Sequence, residues 1–271
     1  ERRHGVVIPE RTDGGTRRYR ASDVERLRFV KAAVDSGHRI GVVANLSNTE
    51  LQILSGQGPD GSPAQLDGML DAVESFDSSE LQRLLSVQLS TLGAPRFARD
   101  VAQLMLAEIG ERWARGEIGI ANEHMACVVI RNLLGPTLQS TAISDAGPKI
   151  VFATPPEERH ELGLMMAMLT TLSAGANCLY LGADLTVEEV VIAAQEFGAD
   201  VVVMHMVMTR EIDARRLVTF LRSELEDHVQ IWTGGSASAE FDDYAGVEYI
   251  ASFETLEQRV DLLRDSESSG S

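Results

Sequence analysis

The sequence predicts a multidomain protein of α and α/β class, and three observations lead to this expectation. Residues 66–143 keep the apolar spacing of amphipathic helices throughout. Residues 148–265 alternate β-branched runs with helical segments, the pattern of a doubly wound parallel sheet. Upstream of both, residues 55–65 are rich in Gly, Pro and Ser and predict a flexible linker. We therefore expect three segments, with residues 1–54 as the first.

Length and composition are those expected of a soluble protein with sizeable cores. The chain has 271 residues, of which 44% are hydrophobic, enough to fill more than one packed core. No run of eighteen apolar residues occurs, so we expect no membrane partner and a cytoplasmic location. Cys127 and Cys178 lie in apolar helix and strand patterns, which favours reduced, buried thiols over a disulfide.

Charge is distributed unevenly along the chain, whose formal net charge is −17. Residues 1–40 contain ten Lys and Arg against six Asp and Glu, a local charge of +4 that leaves −21 for the remainder. Only the N-terminal end is therefore suited to approach a polyanion such as DNA. Because the sequence does not begin with Met, we expect it to continue upstream of Glu1.

The N-terminal segment predicts a small hairpin followed by two helices. The run VVI, the turn DGG and the return RRYR indicate a β-hairpin with arginines on its second strand. Ser22 and Asp23 are suitable caps for a helix that Gly37 would end, and a second helix is predicted over residues 40–54. An ordinary solvated hairpin carries the same pattern, so charge alone does not establish DNA binding.

The two larger segments follow from periodicity. Four amphipathic stretches in residues 66–143 predict an antiparallel four-helix bundle, with Ser78 or Ser79 beginning the second helix and Pro95 the third. In residues 148–265 the predicted strands are KIVFAT, NCLYLG, DVVVMHMV, VQIWTGG and VEYIA. Sheets of this class bind ligands beyond the carboxyl ends of their strands.

His160 lies at such a place, in the stretch ATPPEERHELG just after the first predicted strand. Imidazoles that bind a metal usually donate the N–H of their second ring nitrogen to a carboxylate, and Glu158 is two residues away on the same turn. Gly163 would let the following helix approach a large planar ligand. Most isolated loop histidines are exposed and have no function, so spacing alone leaves both interpretations open.

Residues 5–19, GVVIPERTDGGTRRY, resemble the wing of the MerR family of transcription regulators. The positions that carry the resemblance are Gly5, Pro9, Arg11, Gly14, Gly15, Arg18 and Tyr19. The resemblance implies winged helix-turn-helix DNA binding through Arg11, Arg17, Arg18 and Tyr19, with the arginines on phosphates. Most of the helix-turn-helix would lie before Glu1, so we expect a winged-helix remnant that binds DNA poorly.

The motif Glu158-x-His160-x-x-Gly163 resembles that of the cobalamin-binding fold, and PPEERHELG is similar to the light-sensing regulators of the CarH and LitR type. The resemblance implies that residues 148–265 form a Rossmann-like cobalamin-binding domain. It implies that His160 replaces the cofactor's dimethylbenzimidazole as lower axial ligand of cobalt. It also implies that the displaced nucleotide tail enters a pocket between sheet and helices, close to Gly234 and Gly235.

A second motif of the CarH type lies in the helical segment, where Trp113 is followed by nine residues and then by Glu123 and His124. The resemblance implies that residues 66–143 cap the cofactor. Trp113 would cover the upper axial group, Glu123 would hydrogen-bond the adenosyl moiety of adenosylcobalamin, and His124 would bind cobalt after light breaks the cobalt–carbon bond. Core packing of Trp113 and a solvated face for Glu123 and His124 would explain the same residues without a cofactor.

The function implied is a light-responsive transcription regulator, not an enzyme, whose photochemistry changes its DNA binding and its state as a homo-oligomer, a dimer or a tetramer. One position departs from the pattern: His205 stands where many cobalamin domains carry Ser. The imidazole could cap its strand, or mark a pocket for a bilin such as biliverdin, walled by nearby methionines. A corrinoid methyl carrier and a ligand-free interaction protein are the competing functions.

Overall fold

A computed structural model of the chain describes residues 10–11, 17–18, 21–35, 43, 51, 63–141, 147–241 and 246–269. The chain divides into two compact units. Unit 1 comprises Glu1–Leu85 and Asp100–Ala126, and unit 2 comprises Ser86–Arg99 and Cys127–Ser271. The predicted helical segment therefore contributes residues to both units, and the predicted domain boundaries stay predictions. None of the described helices combines the length and the apolarity that crossing a membrane requires.

The N-terminal segment contains a short hairpin. Strand β1, Glu10–Arg11, pairs antiparallel with β2, Arg17–Arg18, which confirms the hairpin and its return strand. The predicted first strand, VVI, lies outside the described residues. Helix α1, Ala21–Asp35, begins before Ser22, so this residue lies in the first turn and is not the cap. Of the second predicted helix only Val43 and Leu51 are described, and both are helical and buried.

In residues 63–141 the structure has the helices α2 (Pro63–Glu74), α3 (Ser78–Leu92), α4 (Ala94–Phe97), α5 (Gln103–Ala114) and α6 (Ile120–Ser140). Helix α2 begins inside the predicted linker, because Pro63 suits the first turn of a helix. Asp77 caps α3 by accepting the N–H of Glu80 at 2.9 Å. The predicted third helix is not continuous, since a π-helical turn at Ala98–Ala102 separates α4 from α5.

Within unit 1, α2 is joined to the end of α5 and to the start of α6. The buried Asn122 of α6 donates from its side-chain amide to the carbonyl oxygen of Val73 at 2.9 Å. Its side-chain oxygen accepts the N–H of Gly119 at 3.0 Å, which caps α6. Arg112 of α5 pairs with Glu74 of α2. These contacts fix the helix ends on which the predicted upper-face residues lie.

Unit 2 contains a five-stranded parallel sheet of β3 (Lys149–Ala153), β4 (Asn177–Gly182), β5 (Val201–His205), β6 (Gln230–Gly234) and β7 (Val247–Tyr249). The strand order is β4-β3-β5-β6-β7, and every pair is parallel. All five predicted strands are confirmed. The winding reverses between β3 and β5, so the carboxyl ends of these two strands form the place at which doubly wound sheets bind ligands.

Helices cover both faces of the sheet, as predicted. They are α7 (Leu162–Ser173) and α10 (Phe253–Ser269) on one face, and α8 (Val187–Phe197) and α9 (Glu211–Glu224) on the other. Phe152 and Trp232 are buried with α7 and α10. Val151 and Val202 are buried with α8 and α9. Neighbouring strand residues enter opposite cores because side chains alternate along a strand.

Candidate functional site

The turn between β3 and α7, residues 154–161, is fixed by its own hydrogen bonds. The hydroxyl of Thr154 donates to the carbonyl oxygen of Glu158 at 2.5 Å and accepts the N–H of Asp184 at 3.0 Å. The Asp184 carboxylate accepts the N–H of Glu157 at 2.8 Å. This bond supports the left-handed φ of 66° at Glu157. The turn is thereby joined to the residues that follow β4.

The carboxylate of Glu158 lies inside this turn, with only 1% of the side chain exposed. Its Oε2 accepts the backbone N–H groups of Val207, Met208 and Thr209 at 2.8, 2.6 and 3.2 Å. Burial alone would raise the pKa of this carboxyl, but hydrogen bonds, led by those from Met208 and His160, lower it to about 2. Glu158 is therefore ionised at neutral pH and joins the turn to the loop after β5.

His160 is held by the other oxygen of the same carboxylate. Its Nδ1 lies 2.5 Å from Oε1 of Glu158, which also accepts the backbone N–H of His160 at 3.1 Å. Because the ionised carboxylate can only accept, Nδ1 donates in this contact, and Nε2 is the ring nitrogen left for a ligand. The ring is 49% exposed, so it is accessible to a ligand. The contact between Glu158 and His160 is the one predicted from their spacing.

A second carboxylate anchors the far end of the turn. Glu161 accepts the hydroxyl of Tyr180 on β4 at 2.8 Å and pairs with Arg131 of α6 at 2.8 Å. Burial and the contact with Glu161 raise the pKa of Tyr180, so its hydroxyl stays protonated and donates. Sequence reasoning missed these three residues. The position of Glu161 next to His160 was the only available signal.

His205, the last residue of β5, fills a slot walled by three glycines. A Cβ added to Gly163 would lie 2.4 Å from Nε2 of the imidazole, and one added to Gly235 would lie 3.1 Å from Cε1. At Gly234 the added Cβ would lie 3.6 Å from Nδ1. Gly163, predicted to lie against a planar ligand, therefore packs on the ring of His205. The structure thus brings together all the predicted site residues of the sheet domain: Glu158, His160, Gly163, His205, Gly234 and Gly235.

The imidazole of His205 is neutral at physiological pH. Burial lowers its pKa to about 4, although the negative charge of Glu158 acts in the opposite direction. Neither ring nitrogen has a hydrogen-bond partner within the part of the chain that the structure describes. Packing against glycine backbone is therefore what holds the ring in the slot.

The residues predicted for the upper face of a cofactor all lie in unit 1. Trp113, at the end of α5, is 51% exposed, which excludes core packing as the role of this side chain. His124, near the start of α6, is 72% exposed, and its Nδ1 lies 3.6 Å from a carboxylate oxygen of Glu123. These side chains are accessible within their own unit.

The predicted DNA-binding residues are only partly described. Arg11, Arg17 and Arg18 belong to the paired strands of the hairpin, whereas Tyr19 lies outside the described residues. The backbone pairing therefore agrees with a wing.

No group of three or more His, Cys, Asp or Glu side chains forms a metal site in the ranges that the structure describes. An ion held at His160 would thus need most of its ligands from another molecule. A metal carried by a macrocycle meets this condition, because the ring supplies the equatorial ligands and the protein adds one imidazole. One oriented imidazole, that of His160 held by Glu158, is a donor set that fits a metal already carried by a macrocycle.

The methionines that favoured a bilin pocket are mostly core residues. Met165, Met166, Met168, Met204 and Met206 are buried. Met208 is exposed and lines a cleft of about 600 Å³ on the α8 and α9 side of the turn. The cleft is also lined by Pro156, Arg210 and Phe220. The methionine wall predicted for a bilin pocket is accordingly core packing, with the exception of Met208.

Two family descriptions match this chain. The B12 binding domain matches residues 65–135, and the MerR HTH family regulatory protein matches residues 1–50. The first match contains Trp113, Glu123 and His124, and the second contains the hairpin.

Relatives and solved structures agree with these matches. The chain is 29% identical to the HTH-type transcriptional repressor CarH of Myxococcus xanthus over 248 residues, which cover 88% of this chain and 83% of that protein. It is 23% identical over 211 residues to the repressor CarA of the same organism, with 78% and 70% covered. The monomethylamine corrinoid protein of Methanosarcina barkeri superposes with a TM-score of 0.61 at 20% identity, over 73% of this chain and 98% of that one. The likeness to the corrinoid protein shows a shared fold alone. The predicted resemblance is thereby confirmed: this chain is similar, over most of its length, to CarH-type regulators of the MerR family.

Proposed function

We propose that the chain is a cobalamin-binding transcription regulator of MerR type, and that it responds to light through adenosylcobalamin. The contact between Glu158 and His160 carries the proposal, because an ionised carboxylate orients a half-exposed imidazole at the carboxyl edge of the sheet. The match to a B12 binding domain, the match to the MerR family and the similarity to CarH support it.

In this proposal His160 would hold the cobalt ion of the cofactor, and the other residues of the turn would keep its imidazole in place. Glu158 accepts the hydrogen bond from Nδ1 of His160, which orients the ring and leaves Nε2 as the nitrogen that would bind the metal. Tyr180 and Arg131 restrain the turn through Glu161. A bound adenosylcobalamin would supply a cobalt–carbon bond that light breaks.

The upper-face residues belong to the same proposal. Trp113 would cover the adenosyl group, Glu123 would hydrogen-bond it, and His124 would bind cobalt once the group has left. Their accessibility in unit 1 supports these roles, as does the B12 binding match over residues 65–135. An altered oligomeric state requires contacts that exist in only one of the two states, with or without the adenosyl group.

DNA binding and self-association complete the proposed function. The wing arginines Arg11, Arg17 and Arg18, together with Tyr19, would contact the DNA backbone, where cations anchor a protein without reading sequence. The regulator would act as a dimer or tetramer. The match to the MerR family at residues 1–50 supports this assignment.

Replacement of the lower ligand tests the proposal. We expect His160→Ala to weaken uptake of adenosylcobalamin by at least about tenfold, since metal sites depend on their oriented ligands. The measurement is the visible absorption spectrum during titration in darkness. His228→Ala is the matched control, because His228 is exposed and, like His160, has its Nδ1 beside a carboxylate, that of Glu226 at 3.3 Å. Equal uptake and identical spectra for the wild type and both variants would exclude ligation by His160.

A corrinoid carrier for methyl groups is the second candidate, because the fold covers nearly all of the monomethylamine corrinoid protein. Such a carrier would change its bound cofactor on addition of a methyl donor, and light would not alter its assembly. The match to the MerR family at residues 1–50 favours a regulator over an enzyme component.

A further inference from the structure

We infer that His205 determines which corrinoids this chain accepts, by filling the space that the lower nucleotide of cobalamin would need. The inference rests on the proposed function, since it concerns the same site. A corrinoid that lacks the nucleotide is then expected to bind at least as tightly as complete cobalamin.

The slot is occupied by the imidazole of His205. Its walls are the backbone of Gly163 in the first turn of α7 and of Gly234 and Gly235 at the end of β6. Neither Gly163 nor Gly235 can be replaced by a larger residue at low cost. A Cβ at Gly163 would meet the His205 ring, and one at Gly235 would lie too close to the carbonyl oxygen of Met206. Gly235 also has a φ of 90°, which favours glycine.

The slot and the proposed cobalt ligand are parts of one hydrogen-bonded assembly. His205 is followed directly by the loop whose N–H groups bind Glu158, and Glu158 holds His160. Gly163 lies three residues beyond His160, at the start of the helix that the turn leads into. A nucleotide tethered to a corrin ring on His160 would enter unit 2 beside this helix start, at the carboxyl ends of β3 and β5, where sheets of this class take ligands.

The planar base of that nucleotide and the imidazole of His205 compete for the same kind of space. Both are flat heteroaromatic rings, and the base is the larger. Protein interiors have little free volume, so two rings cannot share a slot that one already fills. The base can enter only if the imidazole leaves.

The contacts of His205 determine how much free energy is needed to displace its imidazole. Because neither of its ring nitrogens is hydrogen-bonded to a described residue, displacing it breaks packing contacts but no hydrogen bonds within the described chain. The nucleotide is therefore disfavoured and not absolutely excluded. A small side chain at this position would remove the competition.

A purely structural role for His205 makes a different prediction. If the glycines serve only to accommodate a core imidazole, replacing it would change the affinities for all corrinoids by the same factor. Cobinamide separates the two cases, since it has the corrin ring and cobalt but lacks the lower nucleotide.

The experiment measures dissociation constants of cobalamin and cobinamide by visible absorption titration. For the wild type we expect cobinamide to bind at least as tightly as cobalamin. In His205→Ser we expect cobalamin to bind about tenfold more tightly while cobinamide changes by less than about twofold, because an overpacked slot is relieved for one ligand only. Adding Gly163→Ala to His205→Ser refills the slot and should return the ratio of the two constants toward the wild-type value.

Nuclear magnetic resonance of the wild type gives a test that needs no variant. With ¹⁵N-labelled histidine, the ring resonances of His205 should shift when cobalamin binds and stay nearly unchanged with cobinamide. Tighter binding of cobalamin in the wild type, together with a ratio unaffected by His205→Ser, would overturn the inference and leave the proposed function intact. If neither corrinoid bound in a manner dependent on His160, both would fail.

Discussion

Glu158 serves two partners because its carboxylate oxygens face in different directions. One oxygen holds the imidazole of His160, and the other accepts the N–H groups of the loop after β5. Charged hydrogen bonds of this kind are stronger than neutral ones. The position of the imidazole and the conformation of that loop are therefore coupled through one ionised group.

Glu158→Gln should lower the free energy of unfolding by about 2–3 kcal/mol at pH 7, because an amide loses the charge and presents an NH₂ group to backbone donors. Urea unfolding measures this loss. Glu157→Gln is the control, since the neighbouring carboxylate is exposed and should change the free energy by less than about 0.5 kcal/mol. Equal effects of the two substitutions would contradict the buried role of Glu158.

The pH dependence of this difference follows from the lowered pKa. The pKa of Glu158 is about 2 in the folded chain, below the ordinary value of 4.5 for this group, so the unfolded chain binds the proton first as pH falls. Its contribution is complete above about pH 4.5 and is lost toward pH 2. The difference in unfolding free energy between the wild type and Glu158→Gln should therefore become smaller as the pH falls through this interval. The difference for Glu157→Gln should stay small throughout.

Sequence spacing predicted only part of this residue-level arrangement. The contact between Glu158 and His160 is local, and two residues on one turn place them within reach. The N–H groups of Val207 and Met208 could not be predicted, because every residue except proline has one and only the fold determines which of them converge. The slot around His205 depends likewise on strands that are distant in sequence.

At the scale of elements, periodicity predicted the sheet better than the helices. Strands buried on both faces are short continuous apolar runs, and all five were visible as such. The third predicted helix failed at Ala98–Ala102 because a π turn holds the chain in a helical path with a different residue count. The early start at Pro63 was hidden by the Gly and Pro content of the preceding residues.

The turn carrying His160 is an element whose position depends on both strand and helix. Tyr180→Phe removes the hydroxyl that Glu161 accepts and should cost about 0.5–1.5 kcal/mol of unfolding free energy. Arg131→Ala removes the second partner of Glu161. Because both partners act on one carboxylate, we expect the two losses to be non-additive in a double-mutant cycle measured by urea unfolding. Strictly additive losses of unfolding free energy would show that Glu161 does not link Tyr180 and Arg131 to the turn.

At the scale of the whole molecule, charge is divided unevenly along the chain. The +4 of residues 1–40 suits DNA, whereas the −21 of the remainder would repel it. If cobalamin binds in the acidic part as proposed, its effect on DNA binding has to be exerted on the basic residues, because the acidic part gains nothing by approaching DNA. In the proposed function that effect is a change in the state of assembly.

Sedimentation velocity in darkness and after illumination measures the state of assembly. For wild type loaded with adenosylcobalamin we expect the sedimentation coefficient to change on illumination, because loss of the adenosyl group removes the proposed contacts of Trp113 and Glu123. The control His228→Ala should respond like the wild type, and His160→Ala, which should not retain the cofactor, should not respond. An unchanged coefficient in the loaded wild type, with the absorption spectrum altered by the same light, would separate photochemistry from assembly and contradict regulation through oligomeric state.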